Sequence, residues 1–152
     1  MGEITVCTRP SVITTILGSC VSVCLWDSRL GIGGMNHFKA PHVPAKGTPS
    51  NTYGEIAIKN LISRMLEHGS RKRDLQAMLF GGGSVIEQAE GQPNIGKENV
   101  RFARKTLIEE GIPVQSAHTG RDFGRKIVFL TAEGTATIAR VNSLGTFIRK
   151  RR

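Results

Sequence analysis

The chain has 152 residues, 39% of them hydrophobic and 22% charged, which suits one domain with its own buried core rather than a disordered chain. No apolar run nears the roughly 20 residues of a spanning helix, so a chain embedded in a membrane is not expected. The formal net charge is +9, with clusters at Arg71-Lys72-Arg73, at Arg121 with Arg125-Lys126, and in the tail Arg149-Lys150-Arg151-Arg152. Such runs are usually solvated surface; otherwise they steer a protein toward an acidic partner. One Trp, one Tyr and no recognisable binding motif argue against a nucleic-acid partner. Residues 1–6 hold no basic segment leading into an apolar one, so no secretory leader is expected. Val6 also stands where a myristoylation motif needs Ser or Thr. Three cysteines, Cys7, Cys20 and Cys24, are odd in number and fit no disulfide or zinc spacing. No metal and no cofactor are therefore expected, and free thiols suit a reducing cytoplasm. Cys7 and Cys24 read as small buried hydrophobes.

In chain order, residues 4–7 read as a short edge strand, and 11–17, rich in β-branched side chains, as a second. Gly18-Ser19 interrupts. Residues 21–26 then alternate Val21, Val23 and Leu25 against Ser22, Cys24 and Trp26, a strand with two different faces. The chain turns at 27–31 and returns through 31–38. The prolines between 41 and 49 predict an irregular loop. Thr52-Tyr53-Gly54-Glu55 reads as a capping box, opening a helix with Ile58, Leu61, Ile62 and Met65 inward and a stop at Gly69. Residues 75–80 form a buried strand, followed by the loop Phe80-Gly81-Gly82-Gly83-Ser84. No Gly-Lys-Ser/Thr follows, so close backbone packing near a site explains these glycines better than phosphate binding. A second helix over about 97–110 turns Val100, Ala103, Leu107 and Ile108 inward. Residues 112–117 are a strand, and 126–131 with 135–141 a hairpin around Glu133-Gly134. Strands and helices do not alternate regularly. The fold class is α+β: mixed or antiparallel sheets, sandwich-like, packed with two main helices in a single domain over 1–148, with 149–152 a basic tail.

The chemistry concentrates between residues 14 and 38. Cys20 follows Gly18-Ser19 at a tight turn, and His37 comes seventeen positions later, beyond Gly33-Gly34. These glycines are expected to take positive φ and let the backbone approach closely. A thiol attacks as its thiolate, so a reactive Cys needs an imidazole to lower its pKa and take its proton. Either residue alone is more simply a buried thiol or a hydrogen-bonded structural histidine; together they are candidates for the nucleophile and base of a hydrolase. His42, in the Pro-rich loop, is a less well-held alternative base, and His68 sits at a helix end.

Leu17-Gly18-Ser19-Cys20-Val21-Ser22-Val23-Cys24-Leu25, with Gly34-Met35-Asn36-His37 and Pro41 or Pro44 beyond, resembles the CheD family of chemoreceptor glutamine deamidases. The likeness continues through 53–69, Phe80-Gly81-Gly82, 95–100 and 124–127, and so spans most of the chain. It implies a glutamine amidohydrolase acting on cytoplasmic helices of methyl-accepting receptors, with a methylesterase side activity. It also implies a CheC-type phosphatase as a regulatory partner. A relative that only docks on such partners is the rival reading. The resemblance further implies a threonine six positions before the cysteine as third member of a triad, which falls on Thr14, with Thr15 the adjacent rival. Gly18, Ser19 and Asn36 are the expected oxyanion and substrate-binding group. The segment Ala117-His118-Thr119-Gly120-Arg121 departs from the family, which often carries an acidic residue at 118 and more usually two glycines here. That departure bears on partner contacts rather than on the catalytic pair.

Overall fold

The computed structural model describes residues 1–85, 89–142 and 147. The basic tail at 149–152 lies outside them. Among the described residues eight strands and two α-helices follow one another as β1 (Ile4–Cys7), β2 (Val12–Leu17), β3 (Val21–Asp27), β4 (Ile32–Asn36), α1 (Gly54–Glu67), β5 (Leu75–Gly81), α2 (Ile95–Glu109), β6 (Val114–Thr119), β7 (Gly124–Leu130) and β8 (Thr135–Val141). They form two sheets, of order β1-β4-β3-β5-β6 and β2-β7-β8. Every pairing is antiparallel except β5 with β6. This is the α+β class expected.

The layering follows from the two faces of β3. Val21, Val23 and Leu25 join Ile58, Leu61, Met65, Ala103 and Leu107 in a core between the large sheet and the helices. Cys24, with Cys20 and Trp26 packed beside it, joins Leu17, Met35, Phe80, Ile127 and Phe129 in a second core between the sheets. The alternation read in residues 21–26 is thus two buried faces of different company, which is what the middle strand of a sandwich requires.

The chain changes sheets at residues 18–20. Leu17 ends β2 in the small sheet, and Val21 starts β3 at the centre of the large one. Such a short crossing leaves Cys20 where the sheets meet. Gly18, Gly33 and Gly34 lack the expected positive φ. They permit close approach instead: a Cβ on Gly33 would lie 2.8 Å from the Thr131 carbonyl oxygen, and one on Gly34 2.9 Å from Leu61 and Val6 side-chain carbons.

Other details also differ. The capping box does not form: Tyr53 is the N-cap of α1 without a side-chain bond, and Glu55 turns back to accept from Val43 N at 2.8 Å. The Pro-rich loop competes for that carboxylate and wins. α2 begins earlier than expected, capped by Asn94, whose Oδ1 accepts from Lys97 N. Ile108 is exposed, because the inward stripe runs through Asn99, Ala103, Thr106 and Leu107. Cys24 is buried as expected, whereas Cys7, on the edge strand, is half-buried.

Candidate active site

β2, the 18–20 crossing and the end of β4 supply the three candidate residues. In β2, Leu17 is fully buried and Ile13 packs on the inter-sheet core, while Val12 and Ile16 are exposed. The strand pairs without a break against β7 from Val12 to Leu17. Side chains therefore alternate strictly, which turns Thr15 inward and Thr14 outward. Thr15 Oγ1 lies 3.0 Å from His37 Nδ1. The family spacing pointed to Thr14; the structure brings Thr15 to the imidazole, because the parity of Leu17 decides which threonine faces the other sheet.

Cys20 and His37 are related through their neighbours. Val21 and Phe38 exchange both backbone hydrogen bonds, each 3.0 Å, and both side chains belong to the helix-side core. The preceding residues, Cys20 and His37, consequently share the opposite face as diagonal neighbours, about 7–8 Å apart in such pairs. Between this bridge and the Cys24–Met35 pair, Val23 N donates to Asn36 Oδ1 at 2.8 Å, so a side chain enters the ladder just before His37. Asn36 is fully buried, and its Nδ2 has no partner among the described residues.

The crossing is pinned from behind. Gly83 N donates to Gly18 O and Gly82 N to Cys20 O, both at 2.9 Å, and Asn99 Nδ2 donates to Ser19 O at 3.0 Å. With these carbonyls held by the glycine loop and α2, the amides of Ser19 and Cys20, trans to the Gly18 and Ser19 carbonyls, point the other way. The Cys20 amide lies toward its own sulfur. Gly81, at φ 106, needs to be glycine, since a Cβ there would run into the Cys20 carbonyl.

Asn99 also donates to Lys39 O at 2.9 Å, so one fully buried side chain ties the segment before Cys20 to the segment after His37. Sequence reading gave Asn99 no role. The available signal was an amide on the inward stripe of a helix, where an unpaired polar group would be costly.

Burial sets the protonation states. It pushes the Cys20 thiol above its ordinary value, outweighing the pull of the amino terminus, of Lys39 and of the residue's own amide. Burial, helped by the amino terminus, lowers His37 to about 4. Both groups therefore rest uncharged near neutral pH, where the sequence reading expected a lowered thiol pKa. Around Thr15 and His37 opens a cleft of about 350 Å³, walled by Glu3 and Thr5 of the N-terminal segment and by Ile13, Thr14 and Ile16 of β2; Cys20 is not among its lining residues.

The other histidines stand elsewhere. His42 Nδ1 lies 3.1 Å from Glu55 Oε2, its ring edge-on to Phe102. His68 caps the C-terminus of α1. His118 Nδ1 accepts from Arg125 Nε at 2.7 Å. Among the described residues no group of three His, Cys, Asp or Glu side chains could hold a metal.

The fold defines a class: a two-sheet α+β domain in which Thr15 of one sheet meets His37 at the end of a strand of the other. Residues 41–140 match the family model described as CheD chemotactic sensory transduction. The chain is 41% identical over 138 residues to the probable chemoreceptor glutamine deamidase CheD 1 of Anaeromyxobacter dehalogenans, covering 90% of this chain and 80% of that one. It is 42% identical to the probable chemoreceptor glutamine deamidase CheD of Rhodospirillum rubrum (88% and 76% covered) and 44% identical to that of Agrobacterium fabrum (89% and 74%). The chain belongs to the CheD family.

Proposed function

We propose that this protein is a chemoreceptor glutamine deamidase that hydrolyses selected glutamine side chains to glutamate, releasing ammonia. The relatives' names supply the substrate class. The observation that carries the chemistry is the Thr15–His37 contact on the face shared with Cys20. An Nδ1–H donated to Thr15 Oγ1 leaves Nε2 as the bare lone pair, the tautomer a general base needs. Cys20 attacks the carboxamide carbon as its proton passes to His37 Nε2. The oxyanion is met by the Cys20 amide, with Asn36 Nδ2 as the second donor. The tetrahedral adduct expels ammonia once the imidazolium returns its proton to the leaving nitrogen. Water, deprotonated by the same imidazole, then opens the thioester to the glutamate side chain and free Cys20. Because thiol and imidazole both rest neutral, proton transfer accompanies attack rather than preceding it. A methyl ester offers the same carbonyl, so methylesterase activity follows from the same steps.

The cellular setting is the cytoplasm, where receptor signalling helices and reduced thiols coincide, with a CheC-type phosphatase as regulatory partner through the family likeness. Among the described residues no helix is long and apolar enough to cross a membrane. The test is incubation with soluble cytoplasmic fragments of receptors from the same cell, followed by peptide mass and ammonia. One ammonia per glutamine converted, abolished in Cys20→Ala, is the expected result. Tight binding without either product, with Cys20 reduced, would leave a docking module instead.

A further inference from the structure

Against the glycine loop lies a second cavity, of about 490 Å³, that the chemistry above does not use. Its wall includes Gly82, whose amide holds the Cys20 carbonyl. Four cations converge on it from two elements: Lys97, Arg101 and Arg104 from α2, and Arg121 from the β6–β7 turn. No described lining residue is acidic. None of the four enters an ion pair among the described residues, although Glu98 and Asp122 are their neighbours in sequence; the pairs formed use Arg29, His42, Arg71, Lys72 and Lys105.

Like charges gathered with no counter-ion among the described residues repel one another, and an anion would offset that cost. Arg121 adds to that cost. Among the described residues it is the one non-glycine at positive φ, 67°, and Ser84 N donates to its carbonyl at 2.7 Å. A glycine there would relax the backbone but remove the guanidinium. The turn is further braced by fully buried Arg125, whose Nη2 donates to Gly120 O at 2.6 Å, with no carboxylate opposite it among the described residues. The charged side chains lining the cavity among the described residues are therefore all positive.

We propose that this cavity is a carboxylate-binding subsite for the protein substrate, taking a Glu or Asp side chain on the segment that flanks the reacting glutamine. The inference rests on the deamidase reading. Carboxylate is favoured over other anions by the cavity's place beside the nucleophile's loop and by the reaction itself, which converts a neutral side chain into a glutamate. A glutamate made at one position would then help to seat the next glutamine of the same segment. Guanidinium groups suit that partner, since they pair with carboxylates through two parallel hydrogen bonds.

The experiment compares wild type, the double variant Arg101→Ala/Arg104→Ala, Arg121→Gly, and an equal charge loss elsewhere, Arg73→Ala/Lys105→Ala. The substrates are a receptor fragment and its counterpart with the glutamates flanking the target changed to alanine. The expected result is a KM raised roughly three- to tenfold in both cavity variants on the acidic fragment, with kcat within about twofold and the control near wild type. On the alanine counterpart all four proteins should coincide. Binding of both fragments by each protein in a Cys20→Ala background gives a readout without turnover, so failure of deamidation alone leaves the subsite testable. Equal binding of the two fragments by wild-type cavity would overturn the proposal. So would loss of binding to both fragments alike in the cavity variants, or competition by generic DNA as effective as by the acidic fragment. Circular dichroism of each variant separates a lost subsite from a lost fold, and Arg121→Gly, which relieves strain, is the variant expected to fold at least as well as wild type.

Discussion

Thr14 and Thr15 differ by one position and by everything that matters at the site. Thr15 shares the inner face with Leu17 and meets His37 Nδ1 at 3.0 Å, while Thr14 is exposed on the outer face. Thr15→Val keeps the shape and removes the hydroxyl, so kcat should fall roughly 10²- to 10⁴-fold through loss of the correct tautomer. Thr15→Ser should recover most of that, and Thr14→Ala should stay within about twofold of wild type. Steady-state turnover on a receptor fragment decides it. The thiol carries a second expectation. Burial raises the Cys20 pKa, so at any pH its thiolate fraction lies below that of an unburied cysteine. Iodoacetamide labelling of the native protein should be slow at pH 7 and climb steadily through pH 9, with no plateau near pH 6. A plateau there would mean a preformed thiolate–imidazolium pair. Cys24, raised further by complete burial, should label only on unfolding. Cys20 and His37 were legible in sequence as candidates, because glycine turns flank both. Their protonation states were not, since desolvation belongs to the packed molecule and leaves no trace in spacing.

At the scale of elements, α2 reaches the segments flanking the candidate pair through Asn99, which joins Ser19 O to Lys39 O. Asn99→Asp preserves volume but replaces the donor with a carboxylate facing two carbonyls. It should cost about 1–3 kcal/mol in stability and lower kcat with little change in KM, since the chemistry rather than the substrate surface is disturbed. Denaturant titration and kinetics on the same preparation test both halves. The strands and helices themselves were largely readable: period-two alternation located β3, and the inward stripe Ile58, Leu61, Ile62, Met65 located α1. What sequence could not convey was that β2 and β3, separated by three residues, belong to different sheets. Both read locally as strands, and only the pairing of β2 with β7, more than a hundred residues on, reveals the change of partner. The capping box failed for a similar reason: Glu55 found a donor in the loop at Val43, a contact no window around residue 52 contains.

Across the whole molecule, the crossing at 18–20 makes the site a joint property of two layers. His37 follows β4 of the large sheet and Thr15 comes from β2 of the small one, so neither sheet alone holds the constellation. The single tryptophan, Trp26, packs on the same inter-sheet core and donates from Nε1 to Ala132 O at 3.2 Å. Its emission therefore reports whether the layers are seated. In mild acid or denaturant, activity and tryptophan fluorescence should disappear together while far-ultraviolet ellipticity persists, as in states that keep secondary structure but lose packing. Activity outlasting the fluorescence change would show the constellation surviving without the seam. By the same reasoning the candidate constellation cannot assemble on a growing chain until β7, more than a hundred residues after β2, has been made to hold it. The order of synthesis thereby delays the site until both layers exist.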